Sequence, residues 1–237
     1  MKKVIIIGAT SGIGRGLAEI YKNQGYMVGI TGRRVELLDQ LCASSPSFVK
    51  KEMDVTDMES VVSQLEELTA ELGGFDLIII SSGVGEINES LDFDIEKRTI
   101  DTNVAGFTRV CDWAFNRCVE QQSGHLVGIS SIAALRGNRY APAYFASKAY
   151  QMNYLEGLRQ KARSLKKPIF ITDIRPGFVD TALAKGENVF WAAPVEKAAK
   201  QIYSAICRKK KTAYITKRWR LVAVLLRLLP KMIYDRV

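Results

Sequence analysis

Val4-Ile5-Ile6-Ile7-Gly8-Ala9-Thr10-Ser11-Gly12-Ile13-Gly14 is the stretch whose reading decides the fold. Its apolar run has no polar alternation, which predicts a strand buried on both faces. Glycines then turn the chain into a helical pattern over Gly12–Asn23. Strand, glycine turn and helix in that order aim unpaired backbone amides and the positive helix end at an anion. Gly8, Thr10, Ser11, Gly12, Ile13 and Gly14 are therefore candidate phosphate contacts, a tight turn without a ligand being the alternative when the glycines are taken alone.

Working outward, further apolar runs at 27–30, 77–80, 126–129 and 169–174 alternate with helical patterns at 57–72, 95–119, 143–163 and 194–207. Pro194 suits a first helical turn, where no amide donor is lost. This alternation predicts a single-domain α/β fold, a doubly wound parallel sheet with helices on both faces. Residues 1–216 form the expected domain, followed by a basic, apolar helical tail at 217–237.

The totals narrow the function classes. A chain of 237 residues, 47% hydrophobic, can build one sizeable core. Cys42, Cys111, Cys118 and Cys207 are widely spaced and accompany a single histidine, so neither a disulfide framework nor a zinc site is indicated, and no metal is expected. A reducing, cytoplasmic compartment fits. Lys2 and Lys3 precede an apolar run too short for a signal peptide, and no uninterrupted apolar run is long enough for a transmembrane helix. The net charge of +9 is concentrated: residues 208–237 hold ten Lys and Arg against Asp235 alone, which leaves 24 basic and 24 acidic residues before them. A neutral body argues against a nucleic-acid partner.

After the second run the chain reads Thr31-Gly32-Arg33-Arg34, where a dinucleotide fold that prefers NAD places an acid for the ribose 2′-hydroxyl. Guanidinium forks bind phosphate oxygens, so Arg33 and Arg34 suit the 2′-phosphate of NADP(H); a solvated surface pair is the alternative. Glu36 and Asp39 follow and are expected to neutralise the pair in part.

Further on stand Ser130-Ser131 and then Tyr144-Phe145-Ala146-Ser147-Lys148. Tyr144 and Lys148 lie one helical turn apart and share a face, where an ammonium favours the phenolate. Bringing a phenol from its ordinary ~10 to neutrality takes about 4 kcal/mol of differential stabilisation. His125 invites a serine-hydrolase reading, but no glycine-framed nucleophile elbow surrounds Ser130 or Ser131, and a structural histidine at a strand end is the better reading.

With these motifs in order, the chain resembles the short-chain dehydrogenase/reductase family over about residues 2–216. The resemblance implies that Tyr144 exchanges the substrate proton, that Ser131 holds the carbonyl oxygen, that Lys148 also binds the nicotinamide ribose, and that Asn103 positions a water in the proton relay. It further implies that Asp54 and Val55 meet the adenine, that Ser82 and Gly83 approach the cofactor, and that Pro176, Gly177, Val179 and Thr181 close over the nicotinamide. An Asn that kinks a helix, a turn carboxylate at Asp54 and a loop hydroxyl at Thr181 are the plain alternatives. Two departures stand out: Ile7 where the family often has Thr, and Ser81-Ser82-Gly83-Val84 where it often has Asn-Asn-Ala-Gly.

The reading is thus an NADPH-dependent oxidoreductase interconverting a carbonyl and an alcohol, with a non-catalytic dinucleotide sensor or scaffold of the same fold as the alternative. The resemblance implies a lid at about 181–193, and Leu183, Phe190 and Trp191 within it, with Tyr140 and Phe178, suggest a hydrophobic ketone or aldehyde. The resemblance implies a homodimer or homotetramer. In the tail, Arg220, Arg227 and Lys231 share one narrow stripe and the rest of the circumference is largely apolar, so the tail should dock on its own body, on a second subunit or peripherally on a membrane.

Overall fold

The computed structural model describes residues 1–183 and 191–234. In chain order the elements are β1 (Lys3–Ile7), α1 (Gly12–Asn23), β2 (Met27–Gly32), α2 (Val35–Ser44), β3 (Phe48–Glu52), α3 (Val61–Leu72) and β4 (Leu77–Ile80). Next come α4 (Phe93–Ile100), a π-helical segment (Asp101–Gly106), α5 (Phe107–Glu120), β5 (Gly124–Ile129), a 3₁₀ turn (Ile132–Leu135), α6 (Pro142–Ser164) and β6 (Ile169–Pro176). α7 (Val195–Cys207), β7 (Thr212–Ile215), α8 (Trp219–Leu228) and α9 (Lys231–Tyr234) complete the order.

The strands form one parallel sheet in the order β3-β2-β1-β4-β5-β6-β7. Because β1 pairs with both β2 and β4, the strand order reverses direction there, and a crevice opens beyond the carboxyl ends of β1 and β4. The unbroken apolar run of β1 has its expected explanation. Val4 and Ile6 join the core layer that holds Leu17 of α1 and Ile202 of α7, while Ile5 and Ile7 join the layer that holds Leu65 of α3 and Val110 of α5. Each such side chain contributes about 1.5–3 kcal/mol by leaving water, so both faces of β1 are strongly specified.

β3 and β7, at the two edges, were not among the apolar runs. β3 shows why: Phe48 is buried, while Lys50 and Glu52 are exposed at the sheet rim, where charged residues blunt an open edge. α3 starts at Val61 rather than at 57, because the Asp57 carboxylate accepts from the amides of Glu59 and Ser60 and holds a turn ahead of it. Pro194 is the N-cap of α7.

The tail lies with one face on the body of its own chain. Trp219 and Ala223 are buried, and a Cβ built on Gly177 would fall 2.2 Å from the Trp219 ring, so the indole rests on bare backbone. Arg136 donates to the carbonyls of Leu226 at 2.8 Å and Leu229 at 2.5 Å, and the Tyr234 hydroxyl donates to the Gly137 carbonyl at 2.6 Å. No helix among the described residues is long and apolar enough to cross a membrane. Of the expected lid, Leu183 and Trp191 are described and exposed; Phe190 lies outside the described residues.

Candidate active site

The crevice is a cleft of about 740 Å³ bounded by the glycine turn, the ends of β4 and β5, the start of α6 and the face of α8. Steric necessity explains two of the glycines. Gly8 has φ +83, and a Cβ there would sit 2.8 Å from the Ser82 amide nitrogen. A Cβ on Gly14 would lie 2.1 Å from the Gly8 carbonyl oxygen, so α1 can start this close to β1 only without a side chain. Ser11 is the N-cap of α1 but makes no capping hydrogen bond with its side chain, which leaves the first amides of the helix for a ligand. Thr181 leans over the same turn, its methyl 3.1 Å from where a Gly12 Cβ would be. Ile13 also lines the cleft.

At the end of β2, Arg34 donates to the Thr10 hydroxyl at 2.6 Å and the Ser11 hydroxyl at 2.8 Å, joining the β2 end to the phosphate turn. Arg33 lies 3.7 Å from an Asp54 carboxylate oxygen. The other Asp54 oxygen accepts from the Thr56 amide and hydroxyl, so the turn role and a place on the cleft wall coexist. Of the two acids expected to neutralise the pair, Asp39 pairs with Lys50, and it is Asp54 that lies beside Arg33. Val55 lines the cleft below Asp54, and a Cβ on Gly106 would lie 2.5 Å from the Val55 carbonyl oxygen.

Ser131, Tyr144 and Lys148 converge on the inner end of the cleft. β5 ends at Ile129, and Ser131 caps the following 3₁₀ turn, its hydroxyl accepting from the Ala133 amide at 3.1 Å. The Tyr144 ring lies against bare backbone: a Cβ on Gly85 would be 2.5 Å from it. Burial pushes the Tyr144 phenol up, and a hydrogen bond with Ser131 pulls it down by a smaller amount. The Lys148 ammonium lies 5.8 Å from the centre of the Tyr144 ring, one turn along α6 as the spacing requires. Burial lowers its pKa to about 8, against a smaller upward pull from Asp173. Desolvation thus acts on both groups, raising the phenol and lowering the ammonium one turn away.

Asn103 sits in the π-helical segment, fully buried. Its side-chain carbonyl accepts from the Val84 amide at 2.9 Å, and its amide donates to the Val84 carbonyl at 2.7 Å and the Ser147 hydroxyl at 3.0 Å. Its backbone carbonyl faces α6, where it accepts from the side-chain amide of Gln151 at 2.9 Å. The Gln151 side-chain oxygen in turn accepts from the Lys148 ammonium at 2.9 Å. A buried glutamine thus bridges the Lys148 ammonium and the Asn103 backbone carbonyl.

The two departures have limited reach. Ile7 is fully buried, and the link from β1 to the next turn is made by the main chain, the Ser81 amide donating to the Ile7 carbonyl at 2.9 Å. The Ser82 hydroxyl is buried on the cleft wall without a hydrogen-bond partner among the described residues. A Cβ on Gly83 would stand 3.3 Å from the Asn103 side-chain oxygen and 3.4 Å from the Lys148 nitrogen, so the backbone itself forms this wall. Pro176, Gly177 and Val179 line the opposite side, with the Ser131 hydroxyl 3.5 Å from the Pro176 carbonyl. His125 is buried at the start of β5, bonded to the Thr172 hydroxyl at 2.8 Å, and burial lowers its pKa to about 4.

The model of the family described as short chain dehydrogenase matches residues 2–190. The chain belongs to the short-chain dehydrogenase family. An uncharacterized oxidoreductase of Myxococcus xanthus is 35% identical over 193 residues, covering 79% of this chain and 76% of that protein. Among solved structures, a short-chain dehydrogenase from Streptomyces avermitilis superposes with a TM-score of 0.83 at 25% identity, covering 95% of this chain and 91% of that one. A short-chain dehydrogenase/reductase from Burkholderia phymatum in complex with NAD has a TM-score of 0.85 at 19% identity, covering 94% and 92% of the two chains.

Two features of this short-chain dehydrogenase escaped the sequence reading. One is Gln151, whose spacing from Lys148 on α6 was the available signal. The other is the inner face of the tail: Trp219, Val222, Leu226 and Tyr234 line the cleft. Ser130, beside the site, belongs to a separate buried network, its hydroxyl donating to Asp173, which pairs with Arg175 at 2.6 Å.

Proposed function

We propose that this short-chain dehydrogenase is an NADPH-dependent oxidoreductase that reduces a hydrophobic ketone or aldehyde and runs the reverse oxidation with the same groups. The observation that carries the reading is the convergence of the Ser131 hydroxyl, the Tyr144 phenol and the Lys148 ammonium on one cleft. The dinucleotide fits the residues present. The uncapped start of α1 would suit its pyrophosphate, the Ser82 hydroxyl on the cleft wall has no hydrogen-bond partner among the described residues and would offer it a donor, and Arg33 and Arg34 at the end of β2 would suit a 2′-phosphate. When bound, a reduced nicotinamide supplies the hydride.

The chain supplies the rest. Ser131 donates a hydrogen bond to the carbonyl oxygen as negative charge grows on it. Tyr144, kept protonated by burial, gives that oxygen its proton, which completes the alcohol. Lys148 stands next in line to return a proton to the phenolate, and Gln151 holds it in place. The apolar inner face of α8, with Phe145 and Phe178, favours an apolar substituent on the carbonyl.

A panel of aliphatic and aromatic carbonyls followed by NADPH absorbance tests the reading. Tyr144→Phe should bind NADPH as the wild type does and lose roughly 10²–10⁴-fold in kcat, the usual weight of a positioned acid. The departures at Ile7, Ser81 and Ser82 are what favour a sensor of the same fold. NADPH binding with no turnover across the panel, in wild type and Tyr144→Phe alike, would establish that sensor instead.

A further inference from the structure

The tail helix carries two apolar stripes, and the cleft accounts for one. Trp219, Val222, Ala223 and Leu226 stand at i, i+3, i+4 and i+7 and turn inward. Leu221, Val224, Leu225 and Leu228 repeat the same spacing on the opposite side and face outward, with Leu221 76%, Leu225 64% and Leu228 75% exposed. Met232 and Ile233 of α9 continue the exposed apolar surface. A soluble helix normally directs its charges to that side; this one keeps its cations at the borders. Arg220 and Arg227, two turns apart, edge the outward stripe on one flank, and Arg218 edges it on the other. Arg218 lies over the exposed Trp191 ring, 5.1 Å from its centre, and donates to the Trp191 carbonyl at 2.6 Å. Residues 217–234 contain no acid.

From this arrangement we infer that α8 and α9 form a docking face for an anionic lipid surface. An apolar stripe bordered by arginines, with a tryptophan at its edge, matches what the headgroup boundary offers: hydrocarbon for the leucines and phosphate for the guanidinium groups. The charge pattern selects the occupant. A second copy of the chain laid across this stripe would bring Arg220 and Arg227 toward their own counterparts with no acid on either segment to receive them. Docking in this way places the cleft at the lipid boundary, because the helix that meets the membrane is the one whose other face lines the cleft.

The inference is independent of turnover, so its test stands apart from that of the proposed function. The full-length protein is sedimented with vesicles of equal parts phosphatidylglycerol and phosphatidylcholine, and with phosphatidylcholine alone. Leu225→Ser/Leu228→Ser should weaken binding to the anionic vesicles roughly a hundredfold, through lost apolar burial. Arg220→Gln/Arg227→Gln should weaken it roughly tenfold and reduce its sensitivity to salt. Unchanged melting temperatures and NADPH binding show that the variants remain folded. The inference is overturned by equal binding to neutral and anionic vesicles, by binding that survives the leucine substitutions, or by absence of binding. If binding is absent and sedimentation velocity shows a dimer that Leu225→Ser/Leu228→Ser dissociates, the stripe belongs to a second copy instead.

Discussion

Replacing Gln151 by leucine tests the Lys148 environment directly. The side chains are close in volume, so packing on α6 is preserved while the bridge is lost: among the described residues Lys148 keeps the Ile129 carbonyl at 3.3 Å, and the Asn103 carbonyl loses its side-chain donor. The sign follows from which form the lost acceptor favoured. The Gln151 oxygen stabilises the ammonium, so its removal lowers the lysine pKa further from its present value of about 8. A hydrogen bond to a charged group contributes about 1.5–3 kcal/mol, which corresponds to a pKa lower by roughly one to two. With a responsive carbonyl from the panel, kcat/KM for reduction should fall above about pH 8 in the wild type. In Gln151→Leu that limb should move to about pH 6–7, with much of the activity recovered in acid. Gln151→Glu should move it the other way, since a carboxylate holds the ammonium charged. Loss of about 2 kcal/mol of stability, roughly 4–8 °C in Tm, should accompany the leucine variant. A limb that stays at the wild-type pH in Gln151→Leu, with activity lowered equally at every pH, would refute the positioning role.

Two further outcomes follow from buried and bordering charges. Arg34→Leu should weaken NADPH binding roughly 10–100-fold while changing NADH binding little, as fluorescence titration of both dinucleotides would show; equal losses would mean that Arg34 serves the turn alone. Asp173→Asn leaves Arg175 without its buried partner and should cost about 3–5 kcal/mol, or roughly 6–20 °C in Tm by calorimetry, whereas a shift of a degree or less would show that burial of the pair had brought no net gain.

The sequence made the inner strands and the catalytic spacing legible because each depends on a local pattern. β1 and β4 are buried on both faces, and such strands must be apolar throughout; α1 was readable at both ends because glycine is required where it starts. The edge strands escaped for the complementary reason. β3 needs only one buried face, and Lys50, Lys51 and Glu52 interrupt any apolar run. Asn103 was readable as a residue but not as a geometry, since nothing in Asp101–Gly106 announces a π-helical segment. The tail was half legible: spacing told which residues share a face, but which stripe turned inward was decided by a contact remote in sequence, the Trp219 ring on the bare backbone of Gly177. Gln151 was overlooked because a glutamine one turn from Lys148 reads as an ordinary helix residue until its two partners are seen.

The two perturbed groups of the site fit together once their directions are compared. Burial raises the phenol of Tyr144 and lowers the ammonium of Lys148 to about 8, so a proton placed between them rests on the phenol. In the proposed reduction, once Tyr144 has given its proton to the carbonyl oxygen, return of a proton from Lys148 to the phenolate is downhill by about 1.4 kcal/mol for each unit that separates them. Were the phenol driven to neutrality instead, it would lie below the lysine and the same transfer would run uphill. In the proposed reaction, this shared desolvation is what suits the pair to proton donation. The proposed chemistry should therefore run as reduction below about pH 8, where Lys148 is charged, and as oxidation above it, where the neutral amine can receive the alcohol's proton through Tyr144.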